Sequence, residues 1–194
     1  MNTPRAHAPS RSLRFLRHGA TSANLAGLRC GGDLDLPLTE CGREQARAAA
    51  QSLIERTVPL GLIITSDLQR TRETARILAE ALGGVPIVVC AELGERRLGE
   101  WNLRSIAQTQ PWLEARCTPP GGESDGEFID RIARGIRLIK PCLPDRPLLV
   151  GSKGVARAMG ELVGWPRRLE LDNGELAEFE LNDLPFLETT WGAP

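Results

Sequence analysis

The feature that most constrains this chain is a regular alternation between short apolar segments and longer amphipathic ones. The short segments are residues 13–16, 62–64, 85–89 and 147–150. Between them, apolar side chains recur three or four residues apart, which is typical of helices that bury one face. Strands that alternate with helices of ten or more residues predict a mostly parallel sheet covered on both faces. The predicted fold class is therefore α/β, a three-layer α/β/α sandwich.

The chain length fits one domain. At 194 residues it is long enough to bury a substantial core, and no linker divides it. We expect a single domain over residues 13–194, preceded by a disordered basic tail over residues 1–12. Residues 92–120 lack clean periodicity, and they contain Trp101 and Trp112. We expect this segment to form a short cap over a binding site.

Composition excludes several classes of protein. The net charge of −1 argues against nonspecific binding of nucleic acid, which needs a basic excess. A membrane-spanning segment is not expected, because no run of eighteen apolar residues occurs. The five cysteines are scattered without a C-x-x-C pair, which predicts reduced thiols and a cytoplasmic location. Polar and apolar residues alternate over residues 175–181, as they do in an edge strand. Such an edge could pair with a second copy of the chain and form a homodimer.

Charged side chains follow the predicted strands. In a parallel sheet, ligands bind beyond the carboxyl ends of the strands. The first strand runs into Arg17, His18 and Gly19, and the fourth runs into Ser152, Lys153 and Gly154. Arg70 follows in the first turn of the helix after the second strand. Cations at these ends of an otherwise neutral protein predict a small anionic ligand.

Five motifs follow one another in a fixed order. They are Leu16-Arg17-His18-Gly19, the run from Gly32 through Asp35 to Thr39 and Gly42, Ser66-Asp67-Leu68-x-Arg70, Leu93-Gly94-Glu95, and Gly121-Gly122-Glu123-Ser124. In that order and spacing the chain resembles the histidine phosphatase superfamily, in its phosphoglycerate mutase-like branch, over roughly residues 13–174. The resemblance implies a phosphoglycerate mutase-like fold and hydrolysis of a small phosphorylated metabolite through a phosphohistidine. It implies neither a metal nor another cofactor.

The resemblance also implies roles for individual residues. His18 would accept the phosphoryl group, and Arg17 and Arg70 would clamp its oxygens with charge-assisted hydrogen bonds. Asn24 would add a hydrogen-bond donor. Glu95 would protonate the leaving oxygen, and its Leu-x-Glu context favours it over two neighbouring glutamates, Glu92 and Glu100. We expect Gly19 to let the backbone approach the phosphate closely.

One position departs from the pattern. The superfamily has a second histidine after the fourth strand, where this chain has Lys153. The only other histidine, His7, lies in the N-terminal tail. Lys153 could bind a phosphoryl oxygen as a third cation. Alternatively, it could pair with a carboxylate such as Glu95, which would hold that acid ionised.

These options leave three functional hypotheses. The favoured one is a phosphomonoester hydrolase, because His18, both arginines and Glu95 are retained. A catalytically impaired pseudoenzyme that binds a phosphorylated ligand is the alternative. A phosphoglycerate mutase-type phosphotransferase is less favoured, because the predicted cap is short and leaves a phosphoenzyme open to water. The candidates for substrate specificity within the cap are Arg104, Arg116, Trp101 and Trp112.

Overall fold

The computed structural model of the chain describes residues 12–165 and 169–181. Its strands are β1 (Ser12–Arg17), β2 (Ile63–Thr65), β3 (Ile87–Val89), β4 (Leu148–Gly151) and β5 (Leu176–Glu180). Its helices are α1 (Ser22–Leu25), α2 (Glu40–Glu55), α3 (Gln69–Ala81), α4 (Ile106–Glu114), α5 (Asp125–Ile139) and α6 (Lys153–Leu162). Short 3₁₀ helices span Ala91–Leu93, Gly99–Trp101 and Lys140–Asp145. The tail expected over residues 1–12 lies outside the described residues, apart from Ser12, which begins β1.

The strands form one sheet in the order β3-β2-β4-β1-β5. β4 lies between β1 and β2 and is parallel to both, and β2 is parallel to β3. β5 is antiparallel to β1 and occupies an edge, as the alternation in residues 175–181 predicted. The sheet is therefore mostly parallel, which confirms the predicted architecture.

Each face of the sheet carries its own core. Along β1, Leu13 and Phe15 belong to one cluster of buried side chains, whereas Leu16 belongs to the other. This follows from the period of two along a strand, which sends successive side chains to opposite faces. Helices α5 and α6 cover the first face, and α2 and α3 cover the second. The molecule is thus the three-layer sandwich that the sequence predicts.

Four of the helices begin at a residue whose side chain accepts a backbone hydrogen bond, among them α2 and α5. Thr39 accepts a hydrogen bond from the backbone N–H of Gly42 at the start of α2, and Ser124 forms a capping box with Glu127 at the start of α5. Near the end of α2, the side chain of Ile54 is 44% exposed. At 100° per residue it lies roughly 90° from the middle of the buried stripe formed by Ala46, Ala49, Ala50 and Leu53.

Two further features bear on the site. No helix in the described part of the chain is long and apolar enough to cross a membrane. All five cysteines are free of disulfide bonds. Because β1 and β4 are adjacent and parallel, their carboxyl ends bring Arg17 and His18 next to Ser152 and Lys153 at one edge of the sheet.

Candidate active site

A cavity of about 640 Å³ opens beyond the carboxyl ends of β1 and β4. Five of the six predicted site residues line it: Arg17, His18, Asn24, Glu95 and Lys153. The sixth, Arg70, does not line the cavity, although its charge acts on His18 from nearby. Parallel strands therefore gather side chains that are far apart in the sequence.

His18 is held by the backbone on both sides. The backbone N–H of His18 donates to the carbonyl of Gly151 at 2.9 Å, which ties His18 to the end of β4. Its ring Nδ1 lies 2.7 Å from the carbonyl oxygen of Gly19. Since a carbonyl can only accept, we assign the ring proton to Nδ1. Nε2 then keeps its lone pair, which is the form that can attack phosphorus.

Burial keeps this imidazole neutral. The side chain of His18 is only 3% exposed. Burial lowers the pKa of His18 well below its ordinary value, and the positive charges of Arg70 and Arg17 lower it further. The hydrogen bond to Gly19 opposes this shift without cancelling it. At neutral pH the ring is therefore uncharged.

The glycine that follows His18 packs closely against α2. A Cβ on Gly19 would lie 2.1 Å from the carbonyl oxygen of Gly42 in the first turn of α2. Gly42 is packed just as tightly against the carbonyl oxygen of Ala20. Close packing of the loop on α2 therefore requires Gly19, and its role in letting the backbone approach phosphate stays a prediction.

The two predicted arginine clamps are partly engaged with backbone carbonyls. Arg17 Nη1 donates to the carbonyl of Leu171 at 2.6 Å. Arg70 is 1% exposed, and its two terminal nitrogens donate to the carbonyls of Leu34 and Gly31 at 3.0 and 3.1 Å. Within the described residues, the Nε atoms of both arginines and the hydroxyl of Ser152 are buried without a hydrogen-bond partner. An anion beside His18 could supply acceptors for such donors.

Both carboxyl oxygens of Glu95 accept backbone hydrogen bonds. Oε1 accepts from the N–H of Arg96 at 2.7 Å, and Oε2 accepts from the N–H of Gly154 at 3.0 Å. A Cβ on Gly154 would lie 2.1 Å from Oε1, so only glycine admits the carboxyl group there. Neither Glu92 nor Glu100 lines the cavity. Among the three candidate acids, Glu95 alone reaches it.

A buried ion pair supports the backbone of Glu95. The guanidinium of Arg131 donates to the carbonyl oxygens of Glu92, Gly94 and Glu95. Its Nε and Nη2 also bind the two oxygens of Glu123 at 2.8 and 2.7 Å, and Glu123 is 2% exposed. The Gly-Gly-Glu-Ser motif therefore anchors the segment that carries the candidate acid.

Asn24 is oriented by the cap of the short helix α1. Its Oδ1 accepts from the backbone N–H and the hydroxyl of Thr21, both at 3.1 Å. It also lies 3.4 Å from the amide nitrogen of Asn173. Because Oδ1 takes these contacts, the NH₂ group of Asn24 is the part of the amide suited to donate to a ligand.

Lys153 pairs with a carboxylate, but not with the one we had considered. Its Nζ binds Glu170, and Arg157 binds the other carboxyl oxygen of the same residue. Glu95 instead binds the backbone of Gly154. Although burial alone would raise the pKa of Glu170, the hydrogen bond from Lys153 and the two positive charges outweigh it and lower this pKa. The carboxylate thus sits ionised between two cations at the cavity wall.

Sequence reasoning missed three residues here. Arg157 lies four residues after Lys153 on the same face of α6, a spacing that could have been noticed. Glu170 and Asn173 come from the segment before β5, which has no local motif. Asn173 donates to the carbonyl of His18 at 2.8 Å. Only the three-dimensional fold brings this segment to the site.

The predicted cap contributes other side chains than those expected. Trp101 is buried, and its ring packs against that of Trp112 at a centroid distance of 5.3 Å and a tilt of 39°. Neither tryptophan lines the cavity, and Arg104 and Arg116 do not line it either. The cap residues that do are Glu95, Arg96, Leu98, Ile106, Gln110, Leu113 and Glu114. Within residues 12–165 and 169–181, no group of three or more histidine, cysteine or acidic residues is placed to hold a metal ion.

Comparisons with known proteins agree with this geometry. The model of the histidine phosphatase superfamily (branch 1) matches residues 13–192. A Photorhabdus laumondii protein named "probable phosphoglycerate mutase GpmB" is 36% identical, over 91% of this chain and 88% of that one. The alpha-ribazole phosphatase of Shigella flexneri superposes with a TM-score of 0.75 at 28% identity, covering 89% of this chain and 91% of that one. A mycobacterial glucosyl-3-phosphoglycerate phosphatase in complex with VO₃ gives a TM-score of 0.74 at 34% identity, with coverage of 87% and 90%.

Proposed function

This chain belongs to branch 1 of the histidine phosphatase superfamily and is a phosphatase of that superfamily, and we propose that it works through a phosphohistidine on His18. Its substrate would be a phosphomonoester of a small metabolite. The single observation that carries the proposal is the buried, neutral His18, whose Nδ1 is tied to the carbonyl of Gly19. That contact leaves Nε2 unprotonated and available for attack.

In the first step, Nε2 of His18 forms a bond to phosphorus as the bond to the leaving oxygen breaks. Glu95 gives its proton to that oxygen, so the product leaves as a neutral alcohol. Glu95 must be protonated to do so, and the arriving phosphate dianion favours the uncharged acid because like charges repel. Arg17, Arg70 and Asn24 would hold the phosphoryl oxygens.

In the second step, a water molecule attacks the phosphorus of phospho-His18. Glu95 takes up one proton of this water, and the electrons of the N–P bond return to the ring of His18. The net reaction converts a phosphomonoester and water into an alcohol and inorganic phosphate. Both residues end in the state in which they began, so no further reactant is needed.

We also propose that Lys153 takes the place of the second histidine of the superfamily. It is the first residue of α6 and lines the cavity. Arg17 lines the same cavity, so a phosphoryl group bound between Arg17 and Lys153 would be attracted by both cations. In this proposal Lys153 leaves Glu170 for a phosphoryl oxygen when substrate binds.

Hydrolysis of 4-nitrophenyl phosphate by wild type, His18→Ala, Lys153→Ala and Lys153→His tests both parts. We expect turnover by wild type, none by His18→Ala, and a loss of about a hundredfold in Lys153→Ala, as for removal of one donor to a transition state. An inert wild type with an active Lys153→His would overturn the proposal. That result would favour the pseudoenzyme, a phosphatase scaffold that now binds its ligand without turnover.

A further inference from the structure

The cavity extends beyond the candidate phosphate site into a region with apolar walls. Two loops, helix α4 and helix α5 each contribute to these walls. The side chains are Leu28, Leu98, Ile106, Leu113, Phe128 and Ile129. Ile106 and Leu113 are seven residues apart on α4 and share one of its faces, whereas Phe128 and Ile129 are adjacent residues near the start of α5.

Several of these side chains are partly exposed at the cavity. Ile106 is 41% exposed, and Leu28, Leu113 and Ile129 are only half-buried. Apolar side chains gain free energy when a ligand removes them from water. Ligand cavities are commonly lined in this way, with a few polar groups that fix orientation. This wall therefore fits an apolar part of the ligand.

The arginines in this wall already have protein partners. Arg96 donates to the carbonyls of Glu123 and Cys117 and pairs with Asp125 at 3.6 Å. Arg29 donates to the hydroxyl of Thr109 and to the side chain of Gln110. These guanidinium groups hold the cap in place. They are therefore poor candidates for binding a second anionic group of a substrate.

The side chains of α6 that line the cavity change from positive to negative with distance from His18. Lys153 and Arg157 line the cavity near the start of the helix, and Glu161 lines it eight residues after Lys153. At 1.5 Å per residue that is about 12 Å along the axis. Asp125 and Glu114 line the cavity as well. Arg116 already pairs with Asp125 and Glu161, so a carboxylate or second phosphate of a substrate directed that way would compete with two carboxylates for that cation.

Resting on the proposed function, we infer that the substrate is a phosphomonoester whose leaving group is uncharged and largely apolar. The phosphate lies by His18, and the leaving group lies against the walls formed by α4 and α5. Sugar acids and bisphosphates are then poor substrates. This sets the chain apart from what the names of its phosphoglycerate-related relatives say of those proteins.

Three primary alkyl phosphates test this inference, because they expel alcohols of similar reactivity. They are 2-phenylethyl phosphate, glycerol 1-phosphate and 3-phosphoglycerate. We expect kcat/KM to be at least about tenfold higher for 2-phenylethyl phosphate than for glycerol phosphate, and lowest for phosphoglycerate, which is the scale of discrimination that apolar pockets reach. Equal values, or a preference for phosphoglycerate, would overturn the inference.

A pair of variants locates the effect in the wall. Leu113→Asn should raise KM for 2-phenylethyl phosphate about tenfold and leave the inhibition constant of inorganic phosphate unchanged. Leu138→Asn is the matched control, since Leu138 is 60% exposed on α5 and does not line the cavity. If Leu113→Asn weakens the binding of inorganic phosphate equally, or leaves the KM for 2-phenylethyl phosphate unchanged, the assignment is contradicted.

Measuring the binding of phosphonates that the protein cannot hydrolyse tests this inference independently of the proposed function. If no substrate is hydrolysed, the proposed function fails, and calorimetry with 2-phenylethylphosphonate and 3-phosphonopropanoate still tests the wall. We expect the phenyl compound to bind at least about tenfold more tightly, and Leu113→Asn to remove that preference. Tighter binding of the carboxylated compound would refute the inference whether or not the protein turns over.

Discussion

The two sides of the cavity hold their functional groups in different ways. On the His18 side the contacts are buried and involve the backbone: His18 binds Gly151 and Gly19, and Arg70 binds the loop carbonyls. On the Lys153 side, charged side chains pair with Glu170, which is 64% exposed. The first side is fixed by the packing of the fold, whereas the second depends on contacts at the surface.

This difference indicates which side chains can move when substrate binds. A buried hydrogen bond that is broken leaves an unsatisfied group and costs about 1–3 kcal/mol. An exposed ion pair contributes about 0–1 kcal/mol and is readily exchanged. We therefore expect the His18 side to be in its working geometry before substrate binds. We expect the Lys153 side to rearrange around the phosphate.

Replacing one cationic residue on each side of the cavity should give the largest difference in kcat/KM between two variants. Arg70→Lys should lower kcat/KM by about a thousandfold, because a lysine cannot reproduce both carbonyl contacts and still present donors in a fixed plane. Lys153→Arg should stay within about tenfold of wild type, since the Lys153 side accepts another cation. Steady-state kinetics with 4-nitrophenyl phosphate measures both. Equal losses in the two variants would remove the distinction between the sides.

A single methyl group tests the position of Glu95. Gly154→Ala should push the carboxyl group away and lower kcat by about a hundredfold, with KM little changed, because a shift of about 1 Å at a catalytic group has effects of that size. Gly126→Ala on α5 is the control, since a Cβ there has no neighbour within 4 Å. An unaltered kcat in Gly154→Ala would mean that Glu95 is not the proton donor.

The stability of the protein should report the neutral state of His18. The folded pKa of His18 is depressed by burial, so below about pH 6.5 the unfolded chain binds a proton there that the folded chain does not. Stability should therefore fall as the pH drops below about 6.5, by up to about 1.4 kcal/mol per pH unit. Denaturation curves between pH 7 and 5 measure this slope, and His18→Ala should show a shallower one. Identical slopes would show that His18 is not held neutral.

Removing the internal carboxylate should have the smallest effect. Glu170→Gln frees Lys153 and Arg157, so inorganic phosphate should bind about threefold more tightly, in keeping with the modest strength of an exposed pair. Glu80→Gln, on the exposed face of α3, is the control. Calorimetric titration with phosphate measures the change. Weaker binding in Glu170→Gln would mean that Glu170 positions Lys153, and that it does not compete with the ligand.

The sequence predicted the sheet and the His18 side well because both depend on local patterns. Apolar periodicity locates strands and helices, and Arg17, His18 and Glu95 belong to compact motifs at strand ends. It failed where contacts join distant segments: Glu170 and Asn173 reach the site only because β5 lies beside β1. It also gave no sign that Gly19 packs on α2, because that packing is a tertiary contact that no local pattern reveals.

The proposed mechanism requires His18 to carry the phosphoryl group during turnover. The most direct measurement is to mix the enzyme with a radiolabelled phosphomonoester, quench under alkaline denaturing conditions that preserve phosphohistidine, and locate the label by peptide mass analysis. We expect a phosphoryl group on His18 in wild type and no label in His18→Ala. Turnover by wild type without label on His18, or continued hydrolysis by His18→Ala, would contradict the mechanism.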